Sequence, residues 1–237
     1  MMPFKLFCEN KITPMKPSQQ YRLMMKRPVT IFTDVNIKLP TPAKHDTTEV
    51  DMELKEVQDA MIMPPEKLEY ERMLDKDYIE MMKEAASEDG AKKELIDFVD
   101  EIERQVDAIT IKRKFDYNRP RPKEVAESKG MKLKPHVEVN TPGYPSNHTI
   151  KGLVIANVLK RYHPNISTKV DKIANENAES RVSLGVHFPS DVEAGRIMAQ
   201  GLIDNLNTDK LPEEEMSKKK KFTYADLPAH VYGKEAY

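Results

Sequence analysis

The middle of the chain carries apolar residues at helical spacing. The most regular set recurs at steps of four and three residues, as one face of an α-helix requires: Leu95, Val99, Ile102, Val106 and Ile109. Weaker forms of the same period predict helices over about 46–63, 66–90, 146–163, 166–180 and 189–206. The sequence shows no internal repeat and no convincing β-hairpin. The pattern therefore predicts an all-α body.

The segments on either side of these helices lack the period. Residues 1–45 are rich in proline and predict an extended arm, whereas residues 207–237 carry runs of like charge and predict a solvated tail. Between them we expect a helical domain over 46–206, with a loop over 123–145. The arm also contains scattered apolar residues: Phe4, Leu6, Phe7, Val29, Ile31 and Phe32. We therefore expect the arm and the tail to contact a second subunit and to take no part in the chemistry; the alternative is that the arm wraps around its own subunit.

The overall composition excludes several classes of protein. Lys and Arg number 38 and Asp and Glu number 39, so neither a general nucleic-acid binder nor an electrostatic membrane binder is expected. No unbroken apolar run, 153–156 included, exceeds four residues, which is too short for a transmembrane helix. The single cysteine, Cys8, cannot form an intrachain disulfide. The first residues lack the apolar stretch of a secretory signal, and we therefore expect a cytoplasmic protein.

Two polar segments beside predicted helix starts are typical of an anion-binding catalytic site. Ser146 can cap a helix, so that the free N–H groups of Asn147 and His148 face an anion at the positive end of the helix dipole. Asp191 follows His187 by four residues, within reach of one imidazole nitrogen. A carboxylate there would fix the tautomer and leave the other nitrogen free as a nucleophile or base.

Three basic residues complete this pattern. Lys114, Arg121 and Arg181 add positive charge, and a dianion held by such charges between two histidines is typical of phosphoryl transfer. Taken one at a time, a histidine is more often structural than catalytic, and an Arg-Pro-Arg-Pro segment is more often a basic turn. The order and spacing of all these residues together favour the catalytic interpretation.

The three segments also resemble the signature of a known superfamily. They read Lys114-x6-Arg121-Pro122, then Pro145-Ser146-Asn147-His148, then Ser180-Arg181-x5-His187-x3-Asp191. This signature is similar to that of the type-2 phosphatidic acid phosphatases and vanadium haloperoxidases, and most similar to that of the class A non-specific acid phosphatases. The resemblance covers about residues 95–205. It implies a compact helical bundle, with the two arms outside it.

The resemblance implies a role for each motif residue. His187 attacks phosphorus and forms a phosphohistidine, Asp191 orients His187, and His148 protonates the leaving oxygen and then activates water. Five residues hold the phosphate oxygens: Lys114, Arg121, Arg181, Ser146 and the Asn147 amide. No metal ion or other cofactor is expected, although vanadate or phosphate can occupy the same site.

Two features of the motifs leave questions for the structure. Asn147 stands where the family has glycine; it keeps its backbone N–H, but its side chain either adds a donor or crowds the pocket. The first motif also fits two residues earlier, as Lys112 and Arg119. We favour Lys114 and Arg121, because relatives commonly carry an additional arginine two positions before the motif arginine, where Arg119 stands.

These expectations together describe a metal-independent phosphomonoesterase. Its substrates would be small phosphate esters such as nucleotide or sugar phosphates, with neither nucleic acid nor a membrane as partner, and the resemblance implies a homo-oligomer. The first alternative is a vanadate-dependent haloperoxidase, although those chains are typically much longer. The second is a non-catalytic phosphate-binding or interaction protein. Such a protein should lack one of the two catalytic histidines, whereas His148 and His187 are both present.

Overall fold

The computed structural model describes residues 12–213 and confirms the predicted all-α fold. Within that range the regular structure consists of eight α-helices and two short 3-10 helices. The α-helices are α1 (Gln19–Met24), α2 (Thr48–Ala60), α3 (Pro65–Glu88), α4 (Lys93–Tyr117), α5 (Pro122–Ser128), α6 (Asn147–Tyr162), α7 (Ser167–Ser183) and α8 (Pro189–Asp204). The 3-10 helices are Pro164–Ile166 and Thr208–Lys210.

Hydroxyl side chains and prolines define where the main helices begin. The hydroxyl of Thr47 caps α2 by accepting from the N–H of Val50, and that of Ser146 caps α6 by accepting from Thr149. Proline occupies the first turn of α3, α5 and α8, where its missing N–H costs no hydrogen bond. The observed starts of α6 and α8 agree with those predicted from Ser146 and Pro189.

Helix α6 lies at the centre of the bundle and packs against α3, α4, α7 and α8. A helix surrounded by others is apolar on most of its circumference. The fully buried apolar side chains of α6 are Ile150, Val154, Ile155, Val158 and Leu159. Helix α8 approaches α6 closely at Gly195, where an added Cβ would lie 2.9 Å from Cβ of Thr149. This close approach brings the first turns of α6 and α8 together.

The loop predicted over 123–145 is wrong at its start, where the structure has a helix and a second, smaller core. The loop is interrupted at its start by α5, which begins with Pro122 in its first turn. The Glu124 carboxylate accepts from the N–H of Arg121 at 2.9 Å and satisfies one donor at this helix start. Helix α5 then packs against α2 and the segment before α8. The buried side chains of this smaller core are Val50, Leu54, Val57, Val125, Ala126, Leu133 and Phe188.

The described part of the N-terminal arm wraps around its own subunit. Ile31, Phe32 and Leu39 are buried in the main core. The N–H of Thr33 donates to the carbonyl of Asn205 at 2.8 Å, and the backbone continues to pair with the residues after α8. The structure thus shows the arm on its own subunit, one of the two alternatives. Contact with a second subunit, and a homo-oligomer, stay predictions.

The outer part of the arm is not extended throughout. A short helix, α1, forms there because the hydroxyl of Ser18 accepts from the N–H of Tyr21 and caps its first turn. The apolar residues Phe4, Leu6 and Phe7 and the charged runs of the tail lie outside the described residues. Among residues 12–213, no helix combines the length and hydropathy needed to cross a membrane.

Candidate active site

The three motif segments meet around one cavity of about 290 Å³. Its lining includes six of the eight residues predicted for the site: Lys114, Arg121, Asn147, His148, Arg181 and His187. We call this space the active cavity. Its three basic motif residues, Lys114, Arg121 and Arg181, are called the cation cluster.

Lys114 lies in the last turn of α4 and is buried. Its ammonium donates to the carbonyl oxygens of Pro142 at 2.9 Å and Gly143 at 3.0 Å. Burial, together with the neighbouring charge of Arg121, lowers the pKa of Lys114 well below its ordinary value. Lys112 instead lies on the surface and pairs with an aspartate of its own helix at 2.9 Å. The structure therefore brings Lys114, not Lys112, to the active cavity.

Arg121 reaches the active cavity from the start of α5. Its guanidinium donates to the carbonyl oxygens of Val186 at 2.5 Å and Thr141 at 2.6 Å, and to the hydroxyl of Thr141 at 3.0 Å. One of its terminal nitrogens also lies 3.2 Å from Nε2 of His187. Burial lowers the pKa of Arg121 to about 10, so it keeps its charge at neutral pH. Arg121 is thus a fixed cation beside the imidazole.

His187 is held in one tautomer by its two neighbours. Its Nδ1 lies 3.2 Å from Oδ2 of Asp191, and the same oxygen accepts from the N–H of Phe188 at 2.9 Å. Because the guanidinium of Arg121 can only donate, Nε2 has to accept and Nδ1 carries the proton. Burial, followed by the charges of Arg121 and Lys114, lowers the pKa of His187 well below its ordinary value. The ring is therefore neutral at neutral pH.

Arg119 is turned towards Asp191. Its Nη1 donates to Oδ1 of Asp191 at 2.6 Å and to the hydroxyl of Ser190 at 2.7 Å, while Nη2 donates to Glu53 at 2.7 Å. The guanidinium carbon also lies 4.5 Å from the centre of the Phe188 ring. Arg119 therefore supports the partner of His187 instead of facing the active cavity, as expected for the additional arginine of this motif.

Arg181, in the last turn of α7, is completely buried. It donates through Nη1 to Oδ1 of Asp75, a residue of α3. Among the side chains that the structure describes, none accepts from its Nε–H. Sequence reasoning missed Asp75, because nothing distinguishes it from the neighbouring Asp77 of the same helix.

His148 is less tightly held than His187. Its side chain is 28% exposed, and Nε2 lies 3.3 Å from the carbonyl oxygen and 3.5 Å from Oδ1 of Asp75. Burial and the charges of Arg181 and Lys151 lower the pKa of His148 well below its ordinary value. The surroundings therefore favour the neutral imidazole unless an anion offsets the positive charges.

The two remaining predicted residues are placed differently. The hydroxyl of Ser146 accepts from the N–H of Thr149 at 3.4 Å and from its hydroxyl at 2.8 Å, and Ser146 does not line the active cavity. The side chain of Asn147 does line it and donates through Nδ2 to Asp107 at 2.6 Å. The side-chain amide of Asn147 thus faces a carboxylate, while Ser146 acts as a helix cap.

Other residues of the cavity wall belong to none of the three motifs. Tyr21 and Met24 of α1 line it, and the Tyr21 hydroxyl donates to Oδ1 of Asn140 at 2.5 Å. The arm, expected to take no part in the chemistry, therefore forms one wall. Asp107 and Lys151 form another and are 3.2 Å apart. Within residues 12–213, no group of three or more His, Cys, Asp or Glu residues is arranged to hold a metal ion.

Sequence comparison finds proteins similar to this chain. Residues 106–203 match the model of the PAP2 superfamily. The chain is 38% identical over 77 residues to a non-specific acid phosphatase of Providencia stuartii, and 42% identical over 53 residues to one of Salmonella typhimurium. These segments cover 32% and 22% of this chain, and 31% and 21% of the relatives. The chain thus spans less than a third of the length of the curated relatives it matches.

The fold is similar to that of two solved structures. A transmembrane PAP2-type phosphatidylglycerolphosphate phosphatase from Bacillus subtilis superposes with a TM-score of 0.52 at 20% identity, over 67% of this chain and 85% of that one. A bacterial vanadium-dependent iodoperoxidase superposes with a TM-score of 0.56 at 18% identity, over 73% and 53%. The region that matches the PAP2 superfamily model, residues 106–203, contains all three motifs that meet at the active cavity, and the chain is similar in fold to both solved structures.

Proposed function

We propose that this protein hydrolyses small phosphate monoesters through a phosphohistidine formed on His187, without a metal ion. The observation that carries the proposal is the placement of His187: its Nδ1 faces Asp191 at 3.2 Å, its Nε2 lies 3.2 Å from Arg121, and the residue lines the same cavity as the cation cluster. The relatives named non-specific acid phosphatases support phosphatase chemistry.

The cation cluster supports the binding of a dianion. Arg121 and Arg181 both lower the pKa of Lys114, which means that the three buried charges repel one another and an anion between them would relieve the repulsion. The buried Nε–H of Arg181, for which no described side chain is an acceptor, adds a donor without a partner. Such a donor is costly until an oxygen accepts from it, and a phosphate oxygen is suited to do so.

In the first step, Nε2 of His187 attacks phosphorus in line with the bond to the leaving oxygen. The P–N bond forms from the imidazole lone pair, the P–O bond breaks, and His148 gives its proton to the leaving oxygen. Asp191 stabilises the positive charge that develops on His187. The cation cluster stabilises the charge on the three equatorial oxygens.

In the second step, water attacks the phosphohistidine. His148, neutral after the first step, takes a proton from the water as the new P–O bond forms. The P–N bond breaks, its electron pair returns to Nε2 of His187, and inorganic phosphate leaves. In this scheme fixed cations stabilise the transition-state charge, a role that metal ions fill in many other phosphatases.

In this scheme, the protonation state of His148 depends on whether substrate is bound. The positive charges of Arg181 and Lys151 favour the neutral imidazole. A bound phosphate dianion offsets these charges and raises the pKa of His148. Substrate binding therefore supplies the protonated form that a departing alkoxide needs.

The volume and the lining of the active cavity support a substrate with a small organic leaving group. Its volume of about 290 Å³ lies at the lower end of ordinary small-molecule pockets. Tyr21, Met24 and Ile111 give it an apolar wall, whereas Asp107 and Lys151 provide charged groups for hydrogen bonds. A ring with hydroxyl groups, as in nucleotide or sugar phosphates, matches both kinds of wall.

A hydrolysis screen tests the proposal. The purified chain is incubated with p-nitrophenyl phosphate, nucleotides and sugar phosphates, each with and without EDTA and with and without vanadate. We expect release of phosphate that resists EDTA and is blocked by vanadate. Oxidation of bromide or iodide with vanadate and peroxide, without any hydrolysis, would instead identify a haloperoxidase.

A further inference from the structure

A glutamate of α2 lies directly behind the residues that hold His187. Glu53 is outside the three motifs and outside the region matched by the family model, and its side chain is only 12% exposed. Helix α2 is fixed at this place because its apolar face is buried in the smaller core together with Phe188. The position of Glu53 is therefore set by packing independent of the active cavity.

Each carboxylate oxygen of Glu53 accepts a different hydrogen bond. Oε2 accepts from Nη2 of Arg119 at 2.7 Å, and Oε1 accepts from the backbone N–H of Ser190 at 2.8 Å. Ser190 lies in the first turn of α8, where backbone N–H groups have no partner within the helix. Glu53 thus fixes both Arg119 and the start of the helix that carries Asp191.

The buried charges alternate in sign along this path. Glu53 pairs with Arg119, Arg119 pairs with Asp191 at 2.6 Å, and Asp191 faces His187 at 3.2 Å. When a buried guanidinium loses one of its two carboxylate partners, only the remaining carboxylate attracts it, and its long side chain can change rotamer. Without Glu53, Arg119 would draw Asp191 away from Nδ1 of His187.

We propose that Glu53 is a positioning residue that orients His187 through Arg119 and Asp191. The consequence for catalysis rests on the proposed function, in which His187 is the nucleophile. Glu53 lies outside the cation cluster, so its loss should slow the chemical step and leave phosphate binding nearly unchanged.

The test uses Glu53→Gln, Arg119→Ala and the double variant in the full-length chain, with p-nitrophenyl phosphate as substrate. We expect Glu53→Gln to lower kcat by about 10- to 100-fold, by analogy with residues that hold metal ligands in place, and to change KM by less than about threefold. A glutamine keeps an oxygen that can accept from the N–H of Ser190, so Glu53→Gln alters chiefly the contact with Arg119, and adding it to Arg119→Ala should cause little further loss. Independent losses that multiply in the double variant would overturn the proposal.

Asp51→Asn is the matched control. Asp51 lies on the same helix and forms an ion pair with Lys129 at 2.6 Å. Its substitution therefore also removes a contact between α2 and the end of α5. We expect kcat within about twofold of the wild type. Equal losses in Asp51→Asn and Glu53→Gln would mean that α2 acts only as a support for the fold, and would overturn the positioning role.

A second measurement does not depend on activity. Long-range ¹H–¹⁵N NMR of the histidine rings reports which nitrogen carries the proton, and we expect a protonated Nδ1 on His187 in the wild type and in Asp51→Asn. Glu53→Gln should shift that signal, because the hydrogen bond from Nδ1 of His187 to Asp191 changes while Arg121 still donates to Nε2. An unchanged His187 signal would overturn the proposal, whether or not the protein hydrolyses phosphate esters. Absence of hydrolysis in the wild type, with a shifted signal in Glu53→Gln, would reject the proposed function and leave the positioning role supported.

Discussion

The two histidines of the active cavity are held in opposite ways. His187 is 2% exposed and its partner Asp191 is itself fixed by two further donors, Arg119 and the N–H of Phe188. His148 is partly exposed, and its contacts to Asp75 are longer, at 3.3 and 3.5 Å. A nucleophile has to attack along one line, whereas the acid has to serve first the leaving oxygen and then a water. The difference in support therefore matches the two roles that we propose.

The largest expected effect comes from removing the more tightly held ring. His187→Ala should lower kcat by about 10⁴-fold or more, because the covalent intermediate forms on this side chain. Turnover is measured with p-nitrophenyl phosphate, and circular dichroism checks that the helical content is retained. A well-folded variant within tenfold of the wild type would exclude the phosphohistidine route.

Removing the less tightly held ring should give a loss that depends on the substrate. His148→Ala should lower kcat/KM for alkyl phosphates by about 10²- to 10⁴-fold, the usual contribution of a general acid. Aryl phosphates should lose much less, since their leaving group departs without a proton. The comparison is made on sugar phosphates and p-nitrophenyl phosphate, and equal losses on both would contradict the proposed acid.

An intermediate loss is expected for the arginine on the nucleophile side. Arg121→Ala should reduce kcat/KM by roughly 10²-fold, about 3 kcal/mol, because it removes a donor aimed at the transferring phosphoryl group. Lys112→Ala is the control: this lysine is exposed and bound to its own helix, so a change of less than about twofold is expected. If Lys112→Ala cost more than Arg121→Ala, the earlier register of the first motif would hold the phosphate.

The smallest expected effect is on stability against acid. The pKa values of His148 and His187 both lie well below the ordinary 6.5 in the folded protein. The unfolded chain therefore binds more protons below about pH 6.5, and the stability that these rings contribute is present above that pH and is lost as the pH falls through it.

Thermal unfolding between pH 8 and pH 5 measures this loss. Tm should fall by a few degrees in the wild type, and the decline should be smaller in either His148→Asn or His187→Asn. The same slope in both variants and the wild type would show that neither ring is held neutral.

The helices and the motif residues could be predicted from sequence because each depends on local order. The apolar period over 95–109 lies within α4, and the capping chemistry of Ser146 marks the start of α6. The sequence allowed two uses for the Ser146 hydroxyl, and in the structure it forms the cap. Local hydrogen bonding at a helix start follows from neighbouring residues, so it can be read without knowing the tertiary packing.

The supporting residues could not be predicted because tertiary packing alone selects them. Glu53 is one of several acidic residues of α2, and Asp75 has another aspartate, Asp77, two positions later. Their contacts, to Arg119 and Arg181, span 66 and 106 residues of the chain. Helical periodicity places such carboxylates on a face of a helix, but it does not say which other helix that face meets.

The pairing of the arm with the end of α8 has a consequence for how the chain folds as it is made. Thr33 and Asn205 are 172 residues apart in sequence. At ordinary rates of translation, roughly ten to thirty seconds pass between the synthesis of these two residues. During that time Ile31 and Phe32 are without the last helix that buries them, and loop closure over so long a distance is slow to form. On the ribosome, the arm segment around Thr33 is therefore made well before its partner residues and reaches its native place late.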